Sequence, residues 1–324
     1  DHQDLHSFPT RRSSDLTEYS IPALLTVPSF IGQVFANISS TNDIDGSVVI
    51  SMTAFIFAAI GGWFIFKRLP LGFFFSESRV TSEVRYSLGK FKYAATALLG
   101  LVFALSALFP ILILLVRAFS LSGDPYSIEE SYFSGLKYFR EAIAVARKDI
   151  QATIMTTTAT AMCSVIIALP IARLIVTAGR RAMYSLFVLL AFSFLLPGTV
   201  FAVGMIRIYN IPGLDYIYTT QAIIFFTHVG RFLPLAILIL AGGMLRVGTK
   251  REFVARLHGV SDIKAYFNVY LPSLFFEFWL AFLAVLVFSM AELGATTLVS
   301  FAGPTTLTNS LYIMMHYGNE EQVS

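Results

Sequence analysis

Three charged residues lie within or beside long apolar stretches, where charge is uncommon, and they are the first candidates for chemistry. Arg231 lies inside the stretch His-Val-Gly-Arg-Phe-Leu-Pro, whereas Glu292 follows an apolar stretch and Glu18 precedes one. Near the centre of a bilayer a charge is costly, and such residues commonly mark functional sites. Arg231 therefore either lines or gates a path through the membrane, or reaches the interface or a neighbouring carbonyl. Glu18 and Glu292 either line the external mouth of such a path, where they attract cations, or cap helix ends.

The other polar residues of the apolar stretches favour structural roles. His228 and His316 have no second ligand at metal-ligand spacing, so they indicate hydrogen-bonded residues rather than a metal site. Glu277, near the start of a predicted helix, is expected to point to the interface. Five neighbouring threonines favour helix packing over solute binding. They are Thr153, Thr156, Thr157, Thr158 and Thr160.

The sequence contains no pattern that is typical of catalysis. It lacks the Gly-x-x-x-x-Gly-Lys-Ser/Thr loop that binds nucleotide phosphates. It also has no nucleophile and base in a plausible arrangement. We therefore expect no catalytic residue, no metal site and no cofactor, and the chain is not predicted to be an enzyme.

One long basic segment, Arg251–Pro272, has the composition of a surface that binds another protein. Glu252–Leu257 is predicted to begin a short amphipathic helix. Gly259 can adopt a turn conformation that other residues avoid, and Ser261 or Asp262 can cap the helix that follows. A helix, turn and helix that are basic and partly apolar are suited to docking on a soluble partner.

Composition decides which elements must position these residues. Of 324 residues, 56% are hydrophobic and 13% are charged, whereas a soluble domain usually has about a quarter charged residues. Disordered and disulfide-rich chains are excluded by the hydrophobicity and by the single cysteine, Cys163. The apolar runs are continuous and do not alternate as barrel strands do. The sequence therefore predicts an all-α polytopic membrane protein.

Six runs are long enough to cross a hydrocarbon layer of about 30 Å as helices. The predicted spans are Ser47–Phe66, Tyr93–Val116, Ala152–Val176, Met183–Ile206, Gln221–Leu245 and Ser273–Ala291. Prolines within or near them are tolerated in membrane helices, because neighbouring groups can satisfy the freed carbonyls.

Orientation follows from the basic residues, which concentrate on the cytoplasmic side. One side of the predicted spans collects 14 Lys and Arg residues and the other collects six. The loops 67–92, 173–182 and 246–272 are therefore predicted to be cytoplasmic. The segment Leu121–Asp149 is then external and is predicted to include a short surface helix around Ser134–Arg147.

Two segments that are predicted to be external resemble each other, which indicates an internal repeat. Glu18 aligns with Glu292 at an offset of 274, and Pro28 aligns with Pro304 at an offset of 276. By the second offset, most of the counterpart of the first span would lie beyond Ser324. We therefore expect the chain to stop before a final helix. Such repeats are frequent in transporters.

The repeat and one unusual string define the predicted organisation. Residues 6–16, His-Ser-Phe-Pro-Thr-Arg-Arg-Ser-Ser-Asp-Leu, resemble a translated sequencing adapter, so residues 1–16 are interpreted as a non-native leader. Residues 17–66 are interpreted as the end of a first repeat, with an external segment and a last helix. Residues 67–92 are a cytoplasmic linker, and residues 93–324 are a second repeat without its final helix.

The basic segment resembles the cytoplasmic coupling loop of permease subunits in bacterial ABC importers. That family's pattern is Glu-Ala-Ala, three residues, Gly, nine residues, Ile, one residue and Leu-Pro. Ala255, Gly259, Leu271 and Pro272 match it, and Val269 replaces the isoleucine. The chain departs from the pattern where Phe253 and Val254 replace Glu and Ala, with Glu252 displaced by one position. The external Glu18 and Glu292 segments also look like helix ends of fused two-bundle permeases of the iron(III) and thiamine type.

The resemblance implies a type I permease helical bundle, present here as a fragment of two tandem repeats, in a bacterial inner membrane. The expected partners are a cytoplasmic ABC ATPase dimer, an external substrate-binding protein and membrane lipid, with no nucleic acid. The expected solute is iron(III), thiamine or a similar small molecule, and ATP hydrolysis is expected on the separate ATPase. The alternative is an ion-coupled secondary transporter, which requires buried acidic residues at mid-span. A membrane enzyme would require clustered polar residues at one membrane face, and none is visible.

Overall fold

The computed structural model describes nine residues between 46 and 64, Gly89, and residues 91–120, 131–178, 180–248, 250–300, 303 and 305–317. Within these residues the regular secondary structure is helical, without strands. The predicted leader, Glu18 and most of the predicted linker 67–92 lie outside the described residues. The domain boundaries and the internal repeat therefore stay predictions.

The described helices differ widely in length. In chain order they are α1 (Phe91–Phe103), α2 (Phe109–Ser120), α3 (Ser131–Thr177), α4 (Arg180–Leu195), α5 (Gly198–Tyr209), α6 (Asp215–Tyr218), α7 (Ala222–Val247), α8 (Lys250–Leu257), α9 (Asp262–Ala265), α10 (Phe275–Ala291), α11 (Gly294–Val299) and α12 (Leu307–Tyr317). A π-helical turn, Ala104–Leu108, joins α1 to α2. A second π-helical turn, Tyr266–Tyr270, and a 3-10 turn, Leu271–Leu274, join α9 to α10.

Four helical stretches within the described residues are long and apolar enough to cross a membrane. They are Phe91–Ile113, Arg140–Thr177, Ala222–Val247 and Asp262–Ala291. They overlap the second, third, fifth and sixth predicted spans. The nine described residues of the first predicted span and its N-terminal edge are also helical.

The fourth predicted span, Met183–Ile206, is not one straight helix, so this prediction is corrected. The helices Met183–Phe194 and Gly198–Tyr209 meet at an angle of 94°. They add a fifth candidate span to the four above only if the two together form one broken span. Pro197 is the residue before α5 and has an extended ψ of 140°. Proline lacks an N–H donor and disfavours helical backbone in the residue before it, so the helix breaks although the run is apolar throughout.

The external surface helix predicted around Ser134–Arg147 is also corrected. Those residues are helical, but they belong to α3, which continues without interruption for 47 residues. Four of the five threonines noted above are buried, whereas Thr158 is exposed. Their burial agrees with the packing role predicted for them.

The chain divides into two compact units, one that includes residues 154–305 and one with residues 76–153 and 306–324. In the first, α3, α7 and α10 contribute to a core that includes Ala161, Phe232 and Val285. In the second, the Ser310 hydroxyl donates a hydrogen bond of 2.6 Å to the Asp149 carboxylate. No residue of α1 is buried.

Helices α7 and α10 pack closely where Gly243 faces Glu277. A β-carbon on Gly243 would overlap the Cγ atom of Glu277 and lie 2.9 Å from its Cβ atom. Glu277 does not point to the interface as predicted. Its side chain is 8% exposed and pairs with Arg246 at 3.1 Å. The missing side chain of Gly243 makes the space in which this carboxylate stem is buried.

We expect Gly243→Ala to lower the free energy of unfolding by about 2 kcal/mol, because the added methyl overpacks against Glu277. Gly242→Ala is the matched control, since a β-carbon there meets nothing within 4 Å. Alanine is the better helix former by about 0.5–1 kcal/mol, so Gly242→Ala should be neutral or stabilising. Detergent-driven unfolding followed by circular dichroism measures both. Equal effects of the two substitutions would contradict the close packing.

Candidate functional site

Two interrupted helices meet around one arginine in the first unit. The first interruption separates α4 from α5 at Leu196 and Pro197, and the second separates α10 from α11 at Glu292 and Leu293. Arg231, from the continuous helix α7, contacts both. Helix interruptions at membrane depth expose backbone groups that need polar partners, and a charged side chain is a suitable partner.

Arg231 is held by two different acceptors. Its Nε donates a hydrogen bond of 2.8 Å to Glu292 Oε2, and its Nη1 donates one of 2.8 Å to the carbonyl of Leu196. The two charged side chains are only 13% and 10% exposed. Leu196 lies in the break between α4 and α5, and the guanidinium supplies a donor to its carbonyl. Two of the three predicted pathway residues, Arg231 and Glu292, are thus brought together.

Glu292 also stabilises the start of α11. Its second carboxylate oxygen, Oε1, accepts a hydrogen bond of 2.9 Å from the backbone N–H of Ala295. A negative side chain near a helix N-terminus is favoured, since the first N–H groups of a helix lack intrahelical acceptors. This contact agrees with the capping role predicted for Glu292, whereas its role at an external mouth stays a prediction.

Gly198 is a member of this site that the sequence reasoning missed. A β-carbon on Gly198 would contact the Glu292 carboxylate, and it would lie 3.1 Å from Ala295 N and 3.3 Å from Arg231 Cζ. The glycine therefore lets the beginning of α5 approach the ion pair. Its position directly after Pro197 was the available sequence signal.

His228 forms a second polar contact one helical turn from Arg231. Its two ring nitrogens are 2.7 Å from Ser289 Oγ and 2.9 Å from Thr296 Oγ1. The side chain is fully buried, and it joins α7 to α10 and α11. This agrees with the prediction of a hydrogen-bonded residue. The described residues contain no group of three or more His, Cys, Asp and Glu side chains that could hold a metal.

The described site contains a neutral ion pair, a satisfied histidine and the ends of interrupted helices. Interrupted helices close to buried polar groups are typical of the solute sites of transporters. Each of the polar groups named here has a hydrogen-bonding partner within this site. Glu18, the third predicted pathway residue, lies outside the described residues.

The predicted docking loop forms a second candidate site in the same unit. Helix α8 ends in a turn where Gly259 has a φ of +80°, in the left-handed region that favours glycine. The N–H of Val260 then donates to the Ala255 carbonyl at 3.2 Å. Ala255 and Val269 are half-buried. Glu252 belongs to α8, but its side chain lies outside the described part of the structure.

The loop presents large apolar side chains beside charge. Phe253, Leu257 and Ile263 are 62%, 70% and 72% exposed, and Arg256 pairs with Asp262 at 3.1 Å across the turn. An exposed apolar group rimmed by polar residues is typical of a protein-binding surface. We call Phe253, Leu257, Gly259 and Ile263 the loop surface.

Leu271 and Pro272 lie where the loop enters the bundle. Leu271 is half-buried and Pro272 is exposed at the beginning of the 3-10 turn. Proline cannot donate a helical hydrogen bond, and its ring clashes with a carbonyl of the preceding turn. This explains why the helix from Asp262 to Ala291 changes to π and 3-10 geometry here.

Comparison of the chain with known protein families and with curated proteins gives no match.

Proposed function

We propose that the chain is the transmembrane permease subunit of an ATP-driven ABC importer. It would move a small solute, such as iron(III) or thiamine, that a separate external protein delivers. The observation that carries this proposal is the loop surface, an exposed apolar helix and turn that leads into a helical stretch long and apolar enough to cross a membrane. A cytoplasmic ATPase that grips this surface could move α10 without any catalytic group in this chain.

The interrupted helices around Arg231 support the same proposal. A bundle that opens alternately to each side needs elements that can rearrange without exposing unsatisfied backbone groups to lipid. The short helices α5 and α11, tied together through Arg231 and Glu292, are suitable elements. The Arg231–Glu292 pair would then fix one arrangement of the bundle.

The alternative, an ion-coupled secondary transporter, needs a membrane carboxylate that can take up and release an ion. Glu277 and Glu292, the two carboxylates that come closest to this requirement although both lie near helix ends, are each paired with an arginine. These pairs favour the importer proposal. Solute uptake into ATP-free vesicles under an imposed ion gradient would favour the alternative.

The loop proposal predicts a specific loss of ATPase binding in Gly259→Trp. We expect the variant to retain about tenfold less of the ABC ATPase encoded in its own operon when both are co-expressed and the chain is purified. An oversized side chain at a packed interface costs about 1–3 kcal/mol, and about 1.4 kcal/mol is tenfold in affinity.

Gly213→Trp is the matched control for this experiment. Gly213 also has a positive φ, of +95°, and a β-carbon on either glycine meets nothing within 4 Å. The two substitutions therefore bring similar backbone strain, but Gly213 lies in the turn between α5 and α6, outside the loop. Equal ATPase retention by the two variants would contradict the proposed function.

A further inference from the structure

We propose that Arg173 is a positioning residue that couples the docking loop to helix α3. The inference rests on the proposed function and assigns a transmission role to a residue outside the loop surface. From sequence alone Arg173 is only one of the basic residues that mark the cytoplasmic side.

The base of the loop is anchored by Tyr270. This side chain is fully buried, and its hydroxyl donates a hydrogen bond of 3.3 Å to the Met244 carbonyl near the end of α7. Tyr266 stacks on Tyr270 with ring centroids 5.8 Å apart. The two rings are the first and last residues of the π-helical turn, so they move with the loop backbone.

Arg173 covers both rings from another helix. Its guanidinium carbon lies 4.7 Å from the centroid of Tyr270 and 5.6 Å from that of Tyr266. Both distances are within the range of attractive cation–π contacts. Since Arg173 belongs to the last turns of α3, this contact links α3 to the loop. The flat face of the guanidinium fits the stacked rings better than the ammonium group of a lysine would.

The local backbone makes the joint deformable on the loop side. The chain passes from α9 through the π-helical turn and the 3-10 turn before the regular helix α10 begins. π-helical turns often lie at functional sites, and Pro272 prevents a regular helix here. A displacement of α8 and α9 would therefore reach Tyr266–Tyr270 before it reaches α10, and the Arg173 contact would pass part of it to α3.

The native thiol of Cys163 provides a probe on the receiving helix. Cys163 is the only cysteine of the chain, it lies on α3, and it is partly exposed. The experiment uses the full chain with its co-expressed ATPase in vesicles. It measures the N-ethylmaleimide labelling rate of Cys163 without nucleotide and after trapping with ATP and vanadate. ATPase retention and ATP hydrolysis are measured on the same samples.

We expect trapping to change the labelling rate in the unmodified protein. In Arg173→Ala this change should shrink by roughly fivefold, the factor that corresponds to about 1 kcal/mol of cation–π contact, while ATPase retention and hydrolysis persist. Arg173→Lys keeps the charge without the flat face, so its change in labelling rate on trapping should lie between those of Arg173→Ala and the unmodified protein. This variant replaces Arg173→Ala in the test if Arg173→Ala does not fold. Arg207→Ala, at the last turn of α5, should behave as the unmodified protein.

Each other outcome overturns a defined part of the account. A full change in Arg173→Ala, or a Cys163 rate that does not respond to ATP in the unmodified protein, would overturn the coupling role and leave the proposed function intact. Loss of ATPase retention in Arg173→Ala would mean that Arg173 supports docking rather than transmission. Absence of ATPase from the unmodified protein would remove the proposed function itself.

Discussion

Glu292→Ala is expected to lower the free energy of unfolding by about 3–5 kcal/mol, the cost of leaving one member of a buried ion pair without its partner. The substitution strands the Arg231 guanidinium, which is 13% exposed. It also removes the acceptor of the Ala295 N–H. The measurement is unfolding of the detergent-solubilised protein by sodium dodecyl sulfate, followed by circular dichroism.

A second acidic residue supplies the control for Glu292. Asp262 also pairs with an arginine, Arg256, but the two side chains are 75% and 43% exposed. Exposed pairs contribute about 0–1 kcal/mol, so Asp262→Ala should change stability by no more than that. Equal losses in Glu292→Ala and Asp262→Ala would contradict a buried, structurally important pair.

The double variant Arg231→Met with Glu292→Met distinguishes the interaction between the two side chains from the other contacts that each of them makes. Replacing both members of a buried ion pair by apolar residues of similar volume is often far less costly than removing one. The double variant should therefore be more stable than the summed losses of the single variants Arg231→Met and Glu292→Met indicate. Strict additivity would show that the two side chains do not act as a pair.

Gly198→Ala is expected to destabilise the protein by about 3 kcal/mol, at the upper end of the range for overpacking. The added methyl would displace the Glu292 carboxylate, so it would also weaken the hydrogen bond to Ala295 and the contact with Arg231. The nearest fixed obstacle is backbone, Ala295 N at 3.1 Å, which cannot rotate away as a side chain can.

Gly204→Ala, two turns later in α5, is the control for Gly198. A β-carbon there meets nothing within 4 Å, and alanine favours the helix by about 0.5–1 kcal/mol. Gly198→Ala should therefore lower the unfolding midpoint, whereas Gly204→Ala should raise it or leave it unchanged. A Gly198→Ala protein as stable as Gly204→Ala would mean that α5 does not approach Glu292 this closely.

The apolar runs were sufficient to predict the helical class and most of the membrane-crossing stretches, because burying backbone in lipid leaves few alternatives to a helix. They could not reveal the 94° bend at Pro197, since hydropathy is the same on both sides of it. Proline within a membrane helix is compatible with a kink or with a break, and tertiary partners such as Arg231 decide between them.

The pairs of the site were not visible in sequence because they join residues far apart in the chain. Arg231 and Glu292 are 61 residues apart, and no local periodicity brings them together. Glu277 was expected at the interface from its place near a helix start, but the space beside Gly243 buries it. The turn at Gly259, by contrast, is a local property, and the structure places this glycine in the expected conformation.

The central claim is that the loop surface faces the cytoplasm, where an ATPase can grip it. Side-specific labelling tests this directly in a Cys163→Ser background with either Leu257→Cys or Tyr216→Cys. These positions are 70% and 66% exposed. Leu257 lies in the predicted cytoplasmic loop 246–272, whereas Tyr216 lies between the fourth and fifth predicted spans, on the opposite side in the six-span topology. We predict that a membrane-impermeant maleimide labels Tyr216→Cys in intact cells and labels Leu257→Cys only in inside-out vesicles. Labelling of Leu257→Cys from outside intact cells would contradict the account.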